Sequence, residues 1–156
     1  DALVALSQAL NDRVRCAAIA MRGGGNRSGA DSVLVAQTGY PFAVDFARGF
    51  PRYDPHGSSV DNADVSLVVG DHASIPPAAL RSLERSRCIV TGPRATESSL
   101  GSASIRIDTG VDGIHAAGTG VRADDVPLPL RASVPGRITM SDVLASLANL
   151  LRRPRP

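Results

Sequence analysis

Two short apolar runs constrain the fold of this chain more than any other feature. DVSLVVGD, residues 64–71, sets Val65, Leu67, Val68 and Val69 close together, and RCIVTG carries a second run at residues 88–91. Near-continuous aliphatic and β-branched stretches of this length suit strands buried on both faces of a sheet. Between them ASIPPAALRSLERS, residues 73–86, reads as a helix. Ser74 or Ile75 would cap it, and Pro76 and Pro77 would sit in its first turn, where a missing amide costs nothing. SIRIDT, residues 104–109, is a further strand. Strands alternating with helices in this way predict a parallel sheet covered on both faces, joined by right-handed crossovers.

The flanking segments complete an α/β pattern. Leu3, Leu6 and Leu10 recur at near-helical spacing, which predicts a helix over about residues 2–11. VRCAAIAMR, residues 14–22, reads as a strand, GGGNRSG as a tight turn, and residues 29–39 as a helix ended by Gly39, beyond which Pro41 prevents continuation. Residues 113–132, GIHAAGTGVRADDVPLPLRA, change character and read as a small hairpin or an extended excursion. The last helix would start at Thr139, with Asp142 completing a cap. Val143, Leu144, Leu147, Leu150 and Leu151 line one face of it, and Arg152 and Arg153 suit its negative end.

The aromatic residues are distributed oddly for such a fold. The two tyrosines and three phenylalanines, Tyr40, Phe42, Phe46, Phe50 and Tyr53, all fall between residues 40 and 53. Arg48, Arg52, Pro41 and Pro51 are interleaved with them, and Pro55 follows. Each aromatic can bury roughly 150–250 Å², so a core usually spreads them out. Their concentration beside arginines points to a shaped, rigid surface segment. All 17 basic residues are arginine, which suits bidentate pairing with carboxylates as well as a GC-rich codon usage. Arg22, Arg27, Arg48 and Arg52 are the candidate anion-binding residues: partly desolvated charge-assisted bonds contribute about 1.5–3 kcal/mol each.

Other chemistries find little support. His56, His72 and His115 have no metal-binding spacing, although Asp71 and His72 follow the strand end where open α/β sheets place ligands. GDHAS reads as a polar strand-to-helix turn and His115 as a structural histidine. The Gly23–Gly25 run could cradle an anion at a helix start but lacks a dinucleotide fingerprint. Cys16 and Cys88 sit in apolar runs and read as buried thiols, consistent with a reducing cytoplasm. No apolar run approaches the roughly 18 residues of a membrane span. A net charge of +2 is too small to argue for nucleic acid.

QTGYPFAVDFARGFPRY, residues 37–53, preceded by NRSGAD and followed by DPHG, resembles the B subunit of formylmethanofuran dehydrogenases, and more closely that of the bacterial formyltransferase/hydrolase complex. IDTGVDGIHAAGTGVRADDVPLPLR resembles the C-terminal stretch of the same family, with Ala117 where an acidic residue is expected and Gly118–Thr119 retained. The likeness runs from about residue 14 onward and implies a single Rossmann-like, three-layer α/β domain over residues 1–156, with a mainly parallel sheet and a C-terminal hairpin and helix. This would be about the last third of such a subunit.

The resemblance implies a relative of molybdopterin-dependent oxidoreductases without the parts that do redox chemistry. No iron–sulfur cysteine cluster is present, and neither Cys16 nor Cys88 matches a molybdenum or tungsten ligand. The start at Asp1 without methionine suits a fragment or isolated domain; a naturally reduced, cofactor-free subunit is the other reading. The expectation is a non-catalytic subunit or domain of a formyltransferase/hydrolase complex in one-carbon metabolism, cytoplasmic and free of its own cofactor and metal. Tyr40, Phe42, Phe46, Phe50 and Tyr53 would face partner subunits. Arg22, Arg27, Arg48 and Arg52 would contact the glutamyl tail of a methanofuran-type carrier. The alternatives are a pterin-dinucleotide-binding fragment of a molybdenum or tungsten formylmethanofuran dehydrogenase, and a free nucleotide-binding module.

Overall fold

The computed structural model describes residues 2–18, 25–56, 63–70, 75 and 77–152. Among these described residues four α-helices, α1 (Ala2–Asn11), α2 (Arg27–Thr38), α3 (Pro77–Leu83) and α4 (Met140–Arg152), accompany seven strands. These are β1 (Val44–Asp45), β2 (Arg52–Tyr53), β3 (Val65–Val69), β4 (Arg87–Gly92), β5 (Ala103–Asp108), β6 (Gly118–Val121) and β7 (Pro127–Leu130).

The parallel sheet expected from the apolar runs is present, in the order β3-β4-β5. Its register puts Val68, Val90 and Arg106 on one face and Leu67, Ile89 and Ile105 on the other. On the first face Leu83 of α3, Cys88, Val90, Ala95 and Ala103 form the buried core, with Val68, Ile75, Leu80 and Leu100 packed against it. This core is built of aliphatic and small side chains, as the confinement of the aromatics to one segment demands. The strands approach closely at their ends: a Cβ on Gly92 would collide with the Gly70 carbonyl oxygen. Arg106 closes the turn before β5 by donating from its guanidinium to the carbonyls of Leu100 and Ala103 at 2.8 and 2.9 Å.

The second face departs from the expectation of cover on both sides. Cover there is confined to the C-terminal end of β4, where Thr91 is fully buried, its Oγ1 lies 3.7 Å from Met140 Sδ and Val143 of α4 is buried. Val65, Leu67, Val69 and Ile105 remain exposed.

Two further corrections concern the N-terminal half and α3. Residues 14–18, the described part of the expected first strand, are irregular. Asn11 explains this: its Oδ1 accepts from the Cys16 N–H at 3.1 Å and its Nδ2 donates to the Cys16 carbonyl at 2.8 Å. Both backbone groups that a ladder would use are thereby taken. The remainder of that run, and the expected cap Ser74, lie outside the described residues. α3 is shorter than the expected helix and opens on Pro77, the position a proline tolerates best.

The other elements match their sequence signals. α1 spans the expected residues, and α2 ends on Gly39, which takes a left-handed conformation and returns its N–H to the Val35 carbonyl at 2.8 Å. β6 and β7 form the expected hairpin. α4 begins with the expected cap: the Asp142 N–H donates to Thr139 Oγ1, while Thr139 N–H and hydroxyl donate to Asp142 Oδ2. These donors hold the Asp142 carboxyl below the ordinary carboxylate range. Among the described residues no helix is long and apolar enough to cross a membrane.

Candidate functional site

The aromatic segment folds into a short ribbon that follows α2. At its entrance Thr38 Oγ1 donates to the Leu34 carbonyl at 2.7 Å and accepts the Tyr40 N–H at 3.1 Å, so the helix end and the first aromatic are fixed together. β1 and β2 pair antiparallel with Val44 opposite Tyr53 and Asp45 opposite Arg52. Ala43 is held at φ 51°, a left-handed conformation that costs an alanine energy, and its carbonyl accepts the Asp54 N–H at 2.7 Å.

The turn between the strands is equally determined. Asp45 Oδ1 accepts the Ala47 N–H at 2.8 Å, and the Gly49 N–H donates to the Phe46 carbonyl at 2.9 Å. Gly49 has φ 81°, which a residue with a side chain rarely adopts. Rings then interlock across the ribbon. Tyr40 stacks on Tyr53 at a centroid distance of 5.7 Å and 17°, and Phe42 meets Tyr53 edge-on at 5.7 Å and 70°. Tyr53 is therefore the hub. Phe46 and Phe50, in the turn, leave more than half of their surface exposed.

Two of the candidate arginines fall within the ribbon and a third lies apart from it. Arg48 lies in the ribbon's turn and Arg52 opens β2, and both are exposed. Arg27 begins α2, about 17 Å of helix away from the Thr38 end that leads into the ribbon. Arg22 lies outside the described residues, as do Asp71, His72 and most of the Gly23–Gly25 turn. The exposed rings offer stacking surfaces and the two guanidinium groups offer paired donors to carboxylates.

Two polar clusters escaped the sequence reading. Asn26, at the start of α2, donates from Nδ2 to the Thr119 carbonyl at 2.9 Å and accepts the Val121 N–H on Oδ1 at 2.8 Å. It has φ 55° and caps nothing with its side chain, because its amide is spent on β6. Gly29 makes room for it: a Cβ there would stand 2.7 Å from Asn26 Oδ1. The second cluster is at the end of β5, where Asp108 accepts the Thr96 N–H and hydroxyl, each at 2.8 Å. Those bonds, the backbone one foremost, push the Asp108 carboxyl below its ordinary value. The only sequence signal for Asn26 was its place in the NRSGAD run; for Asp108 there was none.

His115 is structural, as read from the sequence. Its Nδ1 accepts the Val111 N–H at 2.9 Å, and its Cβ fills the space that a Cβ on Gly110 would need. Cys88 is buried and burial raises its thiol pKa, partly countered by the charge of Arg106. Cys16 is half-buried. Among the described residues no three His, Cys, Asp or Glu side chains gather into a metal-binding set.

Comparisons with known proteins give a consistent picture. The chain is 32% identical over 130 residues to the B subunit of the tungsten-containing formylmethanofuran dehydrogenase 2 of Methanocaldococcus jannaschii, a match covering 78% of this chain and 30% of that protein. It is 34% identical over 120 residues to the corresponding protein of Methanococcus maripaludis, covering 71% of this chain and 27% of the other. The chain thus spans less than a third of the length of the curated relatives it matches. Among solved structures it is similar to a chain of the formyltransferase/hydrolase complex of Methylorubrum extorquens, crystallised with methylofuran. That likeness has a TM-score of 0.70 at 24% identity and covers 96% of this chain and 43% of the other, which establishes a shared fold. No family model matches the chain.

Proposed function

The chain belongs to the family of formylmethanofuran dehydrogenase B subunits over the stretch it matches, and from that premise we propose that it is a non-catalytic, carrier-binding part of a formyltransferase/hydrolase complex. The observation that carries this reading is the ribbon of residues 40–53. Three rings interlock, Phe46 and Phe50 are exposed in the turn, and Arg48 and Arg52 are exposed residues of the same ribbon. Exposed aromatics and arginines are what a protein interface concentrates. Such a surface also suits a carrier with an aromatic head and a carboxylate-rich tail. The similar complex from Methylorubrum extorquens was crystallised with methylofuran, which supports a carrier of that chemical class.

In this reading formyl transfer and hydrolysis take place on sister subunits. Tyr40, Phe42, Phe46, Phe50 and Tyr53 pack against them, and Arg48 and Arg52 pair with the glutamyl carboxylates of the carrier. Arg27, at the far end of α2, would reach only a more distant part of the tail. The Rossmann-like, three-layer form of the domain belongs to the same proposal, its third layer being supplied by other parts of the assembly. Arg48→Ala combined with Arg52→Ala is expected to lower the carrier content of the purified complex at least tenfold while the complex stays assembled. Unchanged carrier content, read by mass spectrometry of the native complex, would refute the assignment.

The names of the curated relatives favour one second reading, a piece of a tungsten-dependent redox subunit. The described residues fit the metal poorly: Cys88 is buried within β4 under α3, and its thiol is disfavoured as a thiolate. A tungsten ligand would have to come from elsewhere in such a protein. Tungsten and a pterin in the natively purified assembly, held by a polypeptide that includes this sequence, would establish that reading.

A further inference from the structure

Parallel sheets occur almost always with both faces covered, because their crossovers lay helices on each side. Here α3 and the turn at Ala95 cover one face of β3-β4-β5, whereas on the other Thr91 of β4 is buried and the residues of β3 are bare along its length. Val65, Leu67, Val69 and Ile105 are 55, 44, 48 and 51% exposed, with half-buried Ile89 among them. Arg87, in the first row beside Val65, is the charged residue on this face. A contiguous, largely aliphatic face of this kind marks an interaction surface.

It does not stand alone. α1, ALVALSQALN, has no charged residue on any side and no buried one, and Leu3, Val4, Leu6 and Leu10 are all exposed. A helix that is apolar over most of its circumference is normally buried. Leu150 and Leu151 at the end of α4 are bare as well. A two-fold dimer covers one self-complementary patch; three patches on separate elements call for a larger covering body. More than two-thirds of each curated relative's length lies outside the match.

We propose that the bare face of the β3-β4-β5 sheet is a contact surface within one longer polypeptide of this family, seated against an apolar layer from the part of such a protein that these 156 residues do not span. The proposal rests on family membership and not on carrier binding, which involves a different surface. The aliphatic character of the face suits a permanent contact, more like a divided core than a transient docking site.

Leu67→Cys in a Cys16→Ser background reports on this face, since Cys88 is already buried. In the 156-residue chain, with its oligomeric state read by light scattering, the introduced thiol of a monomer should react readily with a maleimide. The same chain is then built into the Methanocaldococcus jannaschii relative in place of its matched residues. Labelling there should slow at least tenfold. Equal rates in the two proteins would overturn the proposal, and so would slow labelling in the isolated chain accompanied by a dimer, which would make a second copy the occupant. If the chimera does not fold, the wild-type chain is co-expressed with the unmatched remainder of that relative as a separate polypeptide. Co-purification abolished by Leu67→Arg supports the proposal, and no co-purification overturns it.

Discussion

Asp108 and Asp142 are both exposed carboxylates whose charged forms are favoured by neighbouring donors, and only one of them was readable in advance. Thr139 and Asp142 are three residues apart, so the spacing alone announces a capping box. Asp108 meets Thr96 across the sheet end, a partnership that depends on β4 and β5 being neighbours. Asn26 is further from its partners still, 93 and 95 residues away. Side-chain partnerships of this separation exist only once the fold does. For Asp108 the consequence is measurable. Because its carboxyl titrates lower when folded, its contribution is present above the ordinary carboxylate value and is lost as pH falls through the folded one. Asp108→Asn keeps an acceptor but cannot titrate. The thermal midpoint of the wild type should therefore fall more steeply than that of the variant between about pH 6 and about pH 2.

Among the elements, helices and core strands were legible because their signals are local: periodicity in α1 and α4, aliphatic runs in β3 and β4, a glycine at the end of α2. Residues 14–18 of the expected first strand are irregular instead, and composition cannot reveal the reason, that Asn11 takes both backbone groups of Cys16. The aromatic segment was recognisable as a surface feature, but its ribbon and the central place of Tyr53 depend on the turn set by Asp45 and Gly49. The β6–β7 hairpin shows how an isolated ribbon is protected at its edges. Pro127 and Pro129 alternate along β7, so the outward positions lack N–H donors. Two outward groups of β6, the Thr119 carbonyl and the Val121 N–H, are taken by Asn26. Asn26→Gly preserves the left-handed backbone and removes this clamp. Amide hydrogen exchange at Val121 should accelerate at least tenfold in that variant while β4 amides keep their protection; an unchanged Val121 rate would mean the clamp contributes nothing to hairpin stability.

At the scale of the molecule, the sequence conveyed an α/β domain and a parallel sheet, yet implied a sheet enclosed on both sides. Periodicity reveals which residues want to be buried, not which polypeptide will bury them, and in this family that distinction matters because the matched stretch is a minor part of the whole protein. The order of the strands has a consequence of its own. β3, β4 and β5 are neighbours in space in the same order as along the chain, with β4 in the middle. Each pairing closes a loop of modest length, whose entropic cost grows only slowly with chain separation. The sheet can therefore assemble strand by strand as the chain lengthens, with β4 as the template on which β3 and then β5 are registered. Val90, wholly buried at its centre, would belong to the folding nucleus. Val90→Ala should slow refolding more than it speeds unfolding, as expected of a residue whose contacts form early.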